Sequence, residues 1–289
     1  MTGMLLVLLA GVVWSSIGIG IRSIEDANVW QILLYRSTAL SLFLFTLITL
    51  KSRGRPFNSI RRSGMAGVIG GFGLVLAFAG GIYSIQTTTV ANAMFLFASA
   101  PFLAALLGWV VLKEPVRKAT WFAMTIAIAG ITIMVVDGFA SGDMIGNISA
   151  LFSALGFAIF TIALRWGKLE DMFPAVLLAG IFSVIVALFV CLSFDYSLRL
   201  SLNDGTIAVA MGVFQVGTGL VIFTIGSRVV PAVELALLSM TEVLLGPFWV
   251  WIFLGESASL YTLLGGVVLL AAITLNALTG LRHKPVPPI

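Results

Sequence analysis

The chain has 289 residues, 60% of them hydrophobic and only 10% charged. That balance lies far outside the range of soluble globular domains and excludes an ordinary soluble enzyme. The formal net charge of +4 calls for no nucleic acid, because the basic residues are spread over short connections and sit on no folded soluble domain or aromatic platform.

A hydrocarbon layer of about 30 Å takes about 20 apolar residues per helix. In chain order, nearly uncharged stretches predict ten spans: Gly3–Ile21, Val29–Leu50, Gly64–Ile85, Val90–Leu112, Ala119–Val136, Met144–Leu164, Phe173–Phe194, Ile207–Ser227, Val230–Leu254 and Leu260–Leu278. A membrane β-barrel would show short alternating segments instead of continuous apolar runs, so the spans are expected to be helices. The first span carries no basic leader or small-residue cleavage pattern and reads as a retained helix. The expected class is an all-α integral membrane protein.

With face A defined as the side holding Met1, thirteen Lys and Arg fall in connections on that face: Lys51, Arg53, Arg55, Arg61, Arg62, Lys113, Arg117, Lys118, Arg165, Lys168, Arg228, Arg282 and Lys284. Face B holds only Arg22 and Arg199. By the positive-inside rule this bias predicts that both termini lie in the cytoplasm, in a multi-pass cell (inner) membrane protein. The single cysteine, Cys191, permits no internal disulfide, and the single histidine, His283, sits in a basic, proline-rich tail. No metal, cofactor or His-dependent chemistry is expected. No phosphate loop ending in Lys-Ser or Lys-Thr is present, which argues against ATP-driven pumping by this chain alone. The glycine-rich third span is no dinucleotide fingerprint, because no soluble strand–turn–helix unit surrounds it.

Five spans per half is an odd number, so a tandem duplication would place its second copy upside down in the bilayer. An offset of 142 or 143 residues brings Arg22 onto Arg165, Gly70 onto Gly212, Trp109 onto Trp251, Glu114 onto Glu256 and Thr120 onto Thr262. The expected organisation is two inverted five-helix repeats, residues 1–138 and 139–289.

Two stretches carry a family resemblance. Ala98–Glu114 (ASAPFLAALLGWVVLKE) resembles the fourth-helix signature of the EamA-type branch of the drug/metabolite transporter superfamily, and Thr241–Glu256 (TEVLLGPFWVWIFLGE) resembles its ninth-helix version. Trp14-Ser15 and Arg36 also sit where that family tends to place tryptophan and arginine. The chain departs from the pattern at Val243, where proline is common, and carries Pro247 four residues later. The resemblance implies ten helices in two inverted repeats, a central cavity, and export or exchange of small metabolites by alternating access. Some relatives that this chain resembles export aromatic amino acids.

Depth within a span, at about 1.5 Å per residue, selects candidate site residues. Trp30, Trp249 and Trp251 fall near the face B interface, and Trp109, Trp121 and Trp166 near the face A interface, where belts of aromatic anchors are expected. Trp14 lies deep in the first span, so its indole N–H needs a partner or a cavity; the repeat offset sets Phe157 opposite it, as a second cavity aromatic or a packing residue. Glu242 lies near the midplane, where it should be paired or protonated. Arg36, the one basic residue within a span, is long enough to be its buried charge partner. The sharper reading gives Glu242 a substrate ammonium or a coupling proton to bind. Pro101 and Pro247 free backbone carbonyls and mark hinges. Ser99, Gln215 and Thr218 add hydrogen-bonding groups expected to face inward.

These residues predict a secondary transporter, not an enzyme, for amino acids, aromatic or otherwise neutral. Its partners are a small-molecule substrate and membrane lipids, with no nucleic acid, and a homo-oligomer is compatible with the pattern. The alternatives are an exporter of other small metabolites or drugs, and an integral membrane enzyme acting on lipid-linked substrates, for which the chain shows no polar catalytic cluster near one interface.

Overall fold

The computed structural model describes residues 2–141 and 143–281, so Arg282, His283 and Lys284 lie outside the described residues. Ten helices are long and apolar enough to cross a membrane: α1 (Thr2–Arg22), α2 (Val29–Lys51), α3 (Pro56–Thr87), α4 (Val90–Val111), α5 (Lys118–Val136), α6 (Met144–Trp166), α7 (Phe173–Ser193), α8 (Leu202–Ser227), α9 (Glu234–Leu254) and α10 (Leu260–Gly280). The chain is therefore an all-α, multi-pass membrane protein, and no strand occurs among the described residues. Each expected span has its helix, with ends shifted by a few residues.

The ends are set by caps that also tie connections together. Asn28 Oδ1 accepts from the backbone N–H of Trp30 and Gln31 while Gln31 Oε1 accepts from Asn28 N at 2.9 Å, a reciprocal box that starts α2. Gln31 Nε2 then donates to Ser197 O at 2.5 Å, fastening the α7–α8 connection. Ser201 caps α8 by accepting from Asp204 N at 3.0 Å, and the Asp204 carboxylate accepts from Glu25 N and Asp26 N at 3.2 Å each. The α1–α2 turn is thus held by a carboxylate that is itself 1% exposed.

The helices pack through backbone contacts that only glycine allows. A Cβ on Gly73 of α3 would stand 2.8 Å from Gly156 O of α6, one on Gly226 of α8 would stand 2.8 Å from Gly3 O of α1, and one on Gly130 of α5 would stand 2.7 Å from Gly265 O of α10. Lipid offers no hydrophobic drive between helices, so close approach of small residues supplies the dispersion contacts instead. On α3, Phe72 stacks on Phe182 of α7 with ring centroids 4.5 Å apart. Between α2 and α8 there is instead a groove of about 1160 Å³, lined by Leu42, Phe43, Leu47, Val213, Val221 and Ile225 among others and reaching Lys51 and Arg228 at face A.

Four helices depart from regular geometry. Helix α1 breaks at Ser16 between Thr2–Ser15 and Ile17–Arg22, and α4 breaks between Val90–Phe97 and Ala100–Val111. Gly64, at φ 52° and ψ −148°, separates a short basic segment of α3 from the span proper. In α8, Met211–Thr218 is wound as a π-helix.

Candidate functional site

Polar side chains gather around α1, which lies between α8 and α9. The Trp14 indole packs on Gly219 of α8, and its ring centroid is 5.1 Å from that of Phe223. Among the described residues nothing accepts its N–H. Gln215, in the π-helical turn of α8, donates from Nε2 to Trp14 O at 3.2 Å, which leaves its buried Oε1 without a partner. Thr218 donates to Val213 O at 3.1 Å, five residues back, so its hydroxyl serves the widened turn rather than an open space. Such π-turns are uncommon and recur at functional sites.

The other flank of α1 meets α9. Gly11 lets the Thr241 side chain and the Glu242 backbone approach, and one turn on Ser15 Oγ accepts from Trp249 Nε1 at 2.9 Å. Trp249 is therefore a bridge between α9 and α1 and not the interfacial anchor expected of it, because its indole N–H finds a hydroxyl inside the bundle. Trp109, Trp121, Trp166 and Trp251 are exposed at the span ends.

Arg36 and Glu242 do not pair. The ion pairs among the described residues are Arg22–Glu256, Lys51–Asp171 and Arg165–Glu114. The Arg36 guanidinium lies over the ring of Phe78 on α3, 4.7 Å from its centroid, while no described residue hydrogen-bonds the Glu242 carboxylate. The physical reason is the order of helices: Arg36 of α2 abuts Gly212 of α8, α8 abuts α1 at Trp14, and α1 abuts α9 at Glu242. Two helices separate the charges along that route.

The remaining candidates are distributed. Phe157 is 40% exposed and has Phe97 and Phe160 as ring neighbours, at 5.8 and 6.0 Å, so it does not face Trp14. Ser99 is buried at the break in α4 and donates to Leu96 O at 2.7 Å. Pro101 is the second residue of Ala100–Val111, beside the break in α4, whereas α9 runs unbroken through Pro247.

Several buried polar groups escape a reading by composition. Ser37 and Ser41 of α2 and Ser183 of α7 have buried hydroxyls with no partner. They share one interface, since a Cβ on Gly180 would touch Ser41 Oγ and lie 3.4 Å from Ser37 O. The four-residue spacing of Ser37 and Ser41 is the signal that points to one face of α2. Asn92 of α4 donates to Asn147 of α6 in a fully buried amide pair.

Each end of the bundle carries an arginine–glutamate clamp. At face B, Arg22 Nε donates to Glu256 Oε2 at 2.8 Å, Arg22 Nη2 donates to Thr88 O at 2.7 Å, and Glu256 Oε1 accepts from Val90 N at 2.6 Å. At face A, Arg165 Nη2 donates to both Glu114 oxygens, at 2.6 and 2.7 Å. No group of His, Cys, Asp and Glu among the described residues is arranged to hold a metal ion.

Ten helices long enough to span a membrane, with buried polar groups left without partners at depth, define a polytopic membrane protein with a polar interior. The profile of the EamA-like transporter family matches residues 1–136 and 144–278, and the chain belongs to that family of transporters. Over 253 residues the chain is 25% identical to the pseudopaline exporter CntI of Pseudomonas aeruginosa, covering 84% of each protein. It is 24% identical over 211 residues to mouse solute carrier family 35 member G1, covering 65% of this chain and 55% of that protein. A solved crystal structure aligns over 97% of this chain and 98% of its own with a TM-score of 0.67 at 15% identity, a likeness of fold.

Proposed function

We propose that this chain is a secondary exporter or exchanger of small metabolites, with amino acids, aromatic or otherwise neutral, as the leading substrate class. It would work by alternating access between two inverted repeats, residues 1–138 and 139–289, around a site bounded by α1, α2, α8 and α9. The observation that carries this reading is the pair of unmatched charges, Arg36 and Glu242, held within the spans on helices that flank α1 and α8. Isolated charges in a membrane interior are costly and belong to pathways and binding sites. Each charge is a candidate contact for a polar group of the substrate, and Gln215 and Trp14 lie on the helices between them.

The repeat reading is supported by the two stretches matched by one family profile and by the odd number of helices in each. It is supported too by the clamps, each of which joins an arginine of one half to a glutamate of the other. Thirteen basic residues on face A against two on face B support a cytoplasmic face A in the inner membrane. On that assignment the Arg22–Glu256 clamp is the outer closure and the Arg165–Glu114 clamp the inner one.

The apolar α2–α8 groove favours a second reading, export of amphipathic drugs or metabolites that enter from the lipid. Counterflow into liposomes with a panel of labelled amino acids separates the two. Saturable exchange weakened in Trp14→Ala supports the amino acid reading, and no exchange of any amino acid by folded protein rejects it. Transport by Glu242→Gln equal to wild type at every pH would remove Glu242 from both substrate binding and proton coupling.

A further inference from the structure

Arg36 is the largest side chain buried in the bundle, at 2% exposure, and its Nε and Nη2 are both buried with no hydrogen-bond partner. These two nitrogens carry the parallel N–H bonds along one edge of the guanidinium, the edge whose spacing matches the two oxygens of a carboxylate. Contact with the Phe78 ring at 4.7 Å offsets only part of the loss of water from a cation. Other polar groups within the spans are in the same condition. Ser37 Oγ, the next residue on α2, has no partner, and neither does Gln215 Oε1, three residues along α8 from the glycine that abuts the Arg36 carbonyl. A static packing role would leave these donors and acceptors unpaid for by any contact, since buried polar groups are ordinarily hydrogen-bonded.

We propose that the Nε–Nη2 edge of Arg36 is the subsite for a carboxylate on the transported molecule. The substrate class is then a small organic acid or amino acid with a free carboxylate, to the exclusion of its amides and esters. This rests on the transporter reading above and adds to it the group that is recognised.

The test is the melting midpoint of purified protein in detergent at matched ionic strength, with benzoate and L-phenylalanine set against benzamide and L-phenylalanine methyl ester. The acids are expected to raise the midpoint and their neutral or esterified counterparts are not. Arg36→Gln should abolish the acid-dependent shift, and Arg36→Lys should need about tenfold or more ligand for the same shift, because ammonium lacks the two-pronged edge. Ligand-free Arg36→Met should melt at or above wild type, since an orphaned charge has been removed; a lower midpoint would mark Arg36 as a packing residue and count against the subsite. Acid and ester shifting wild type equally, no shift with either acid, or a shift that survives Arg36→Gln would each overturn the proposal. Should the Arg36 variants fail to fold, the acid and ester pairs on wild type decide it alone. An Arg36-dependent shift with benzoate but none with L-phenylalanine would retain the subsite and reject the amino acid reading, whereas equal shifts with L-phenylalanine and its ester would do the reverse.

Discussion

The two clamps use the same residues at corresponding sequence positions and are built differently. At face B the Arg22 and Glu256 side chains are 27% and 22% exposed, and each also bonds the backbone of the α3–α4 connection, so three segments meet in one knot. At face A the Arg165 and Glu114 side chains are 53% and 41% exposed and bond only each other. The turns that launch the two glutamates differ as well. Gly255 precedes Glu256 at φ 69°, whereas Lys113 precedes Glu114 at φ 58° in the same left-handed region. One end of the molecule is thus tied with little strain and the other is held by an exposed pair leaving a strained turn. Under the proposed alternating-access cycle this inequality would make the two faces open with different ease, because two equally strong closures would favour an occluded dead end.

The largest expected effect comes from cutting the face B knot. Glu256→Ala removes the ion partner of a three-quarters buried arginine and strands Val90 N, and should destabilise the protein by about 2 kcal/mol. Glu114→Ala at face A should cost no more than about 1 kcal/mol, since an exposed pair is largely repaid by water. Melting midpoints of the two variants in one detergent test the inequality, and equal losses would abolish it. Salt sharpens the same contrast. At about 1 M salt the Debye length falls to about 3 Å, so the cost of Glu114→Ala should vanish while most of the cost of Glu256→Ala persists.

Between these effects lies the α1–α9 bridge. Trp249→Phe keeps the ring but removes the donor to Ser15 Oγ, and should cost about 1 kcal/mol. Trp251→Phe, at an exposed position two residues away, should cost much less. The same melting series checks both.

The fold was largely legible in the sequence and the site was not, for identifiable reasons. Ten spans emerge because hydrocarbon enforces a continuous run of apolar residues, a one-dimensional requirement. The offset that aligns Arg22 with Arg165 and Glu114 with Glu256 pairs like residues along the chain, but it does not disclose that Arg22 bonds Glu256 and Arg165 bonds Glu114. Trp249 lies at a depth typical of anchors, and only the approach of Ser15 across a glycine-lined contact turns it inward. The reach of Arg36 is sufficient for Glu242 on a depth scale, yet depth says nothing about azimuth around the bundle, and α8 and α1 stand on the route between them. The π-turn of α8 contains Gly212 and Gly217, both in close contact with α2, and no local propensity announces it.

The smallest effect isolates the turn itself. A side chain in the left-handed region costs about 1 to 2 kcal/mol, and glycine at the same place loses about 0.5 to 1 kcal/mol of unfolded-chain freedom on folding. The difference favours Lys113→Gly by about 0.5 kcal/mol, with no ion-pair partner touched, while Gly255→Lys should lose at least as much at face B. If strain at Lys113 keeps face A ready to open, Lys113→Gly should also slow exchange slightly while raising the midpoint, so that stability and flux move in opposite directions. A Lys113→Gly variant that melts lower than wild type, or one that gains stability with no change in flux, would show that the left-handed turn at face A is a geometric need of the Glu114 clamp and has no part in the inequality of the two ends.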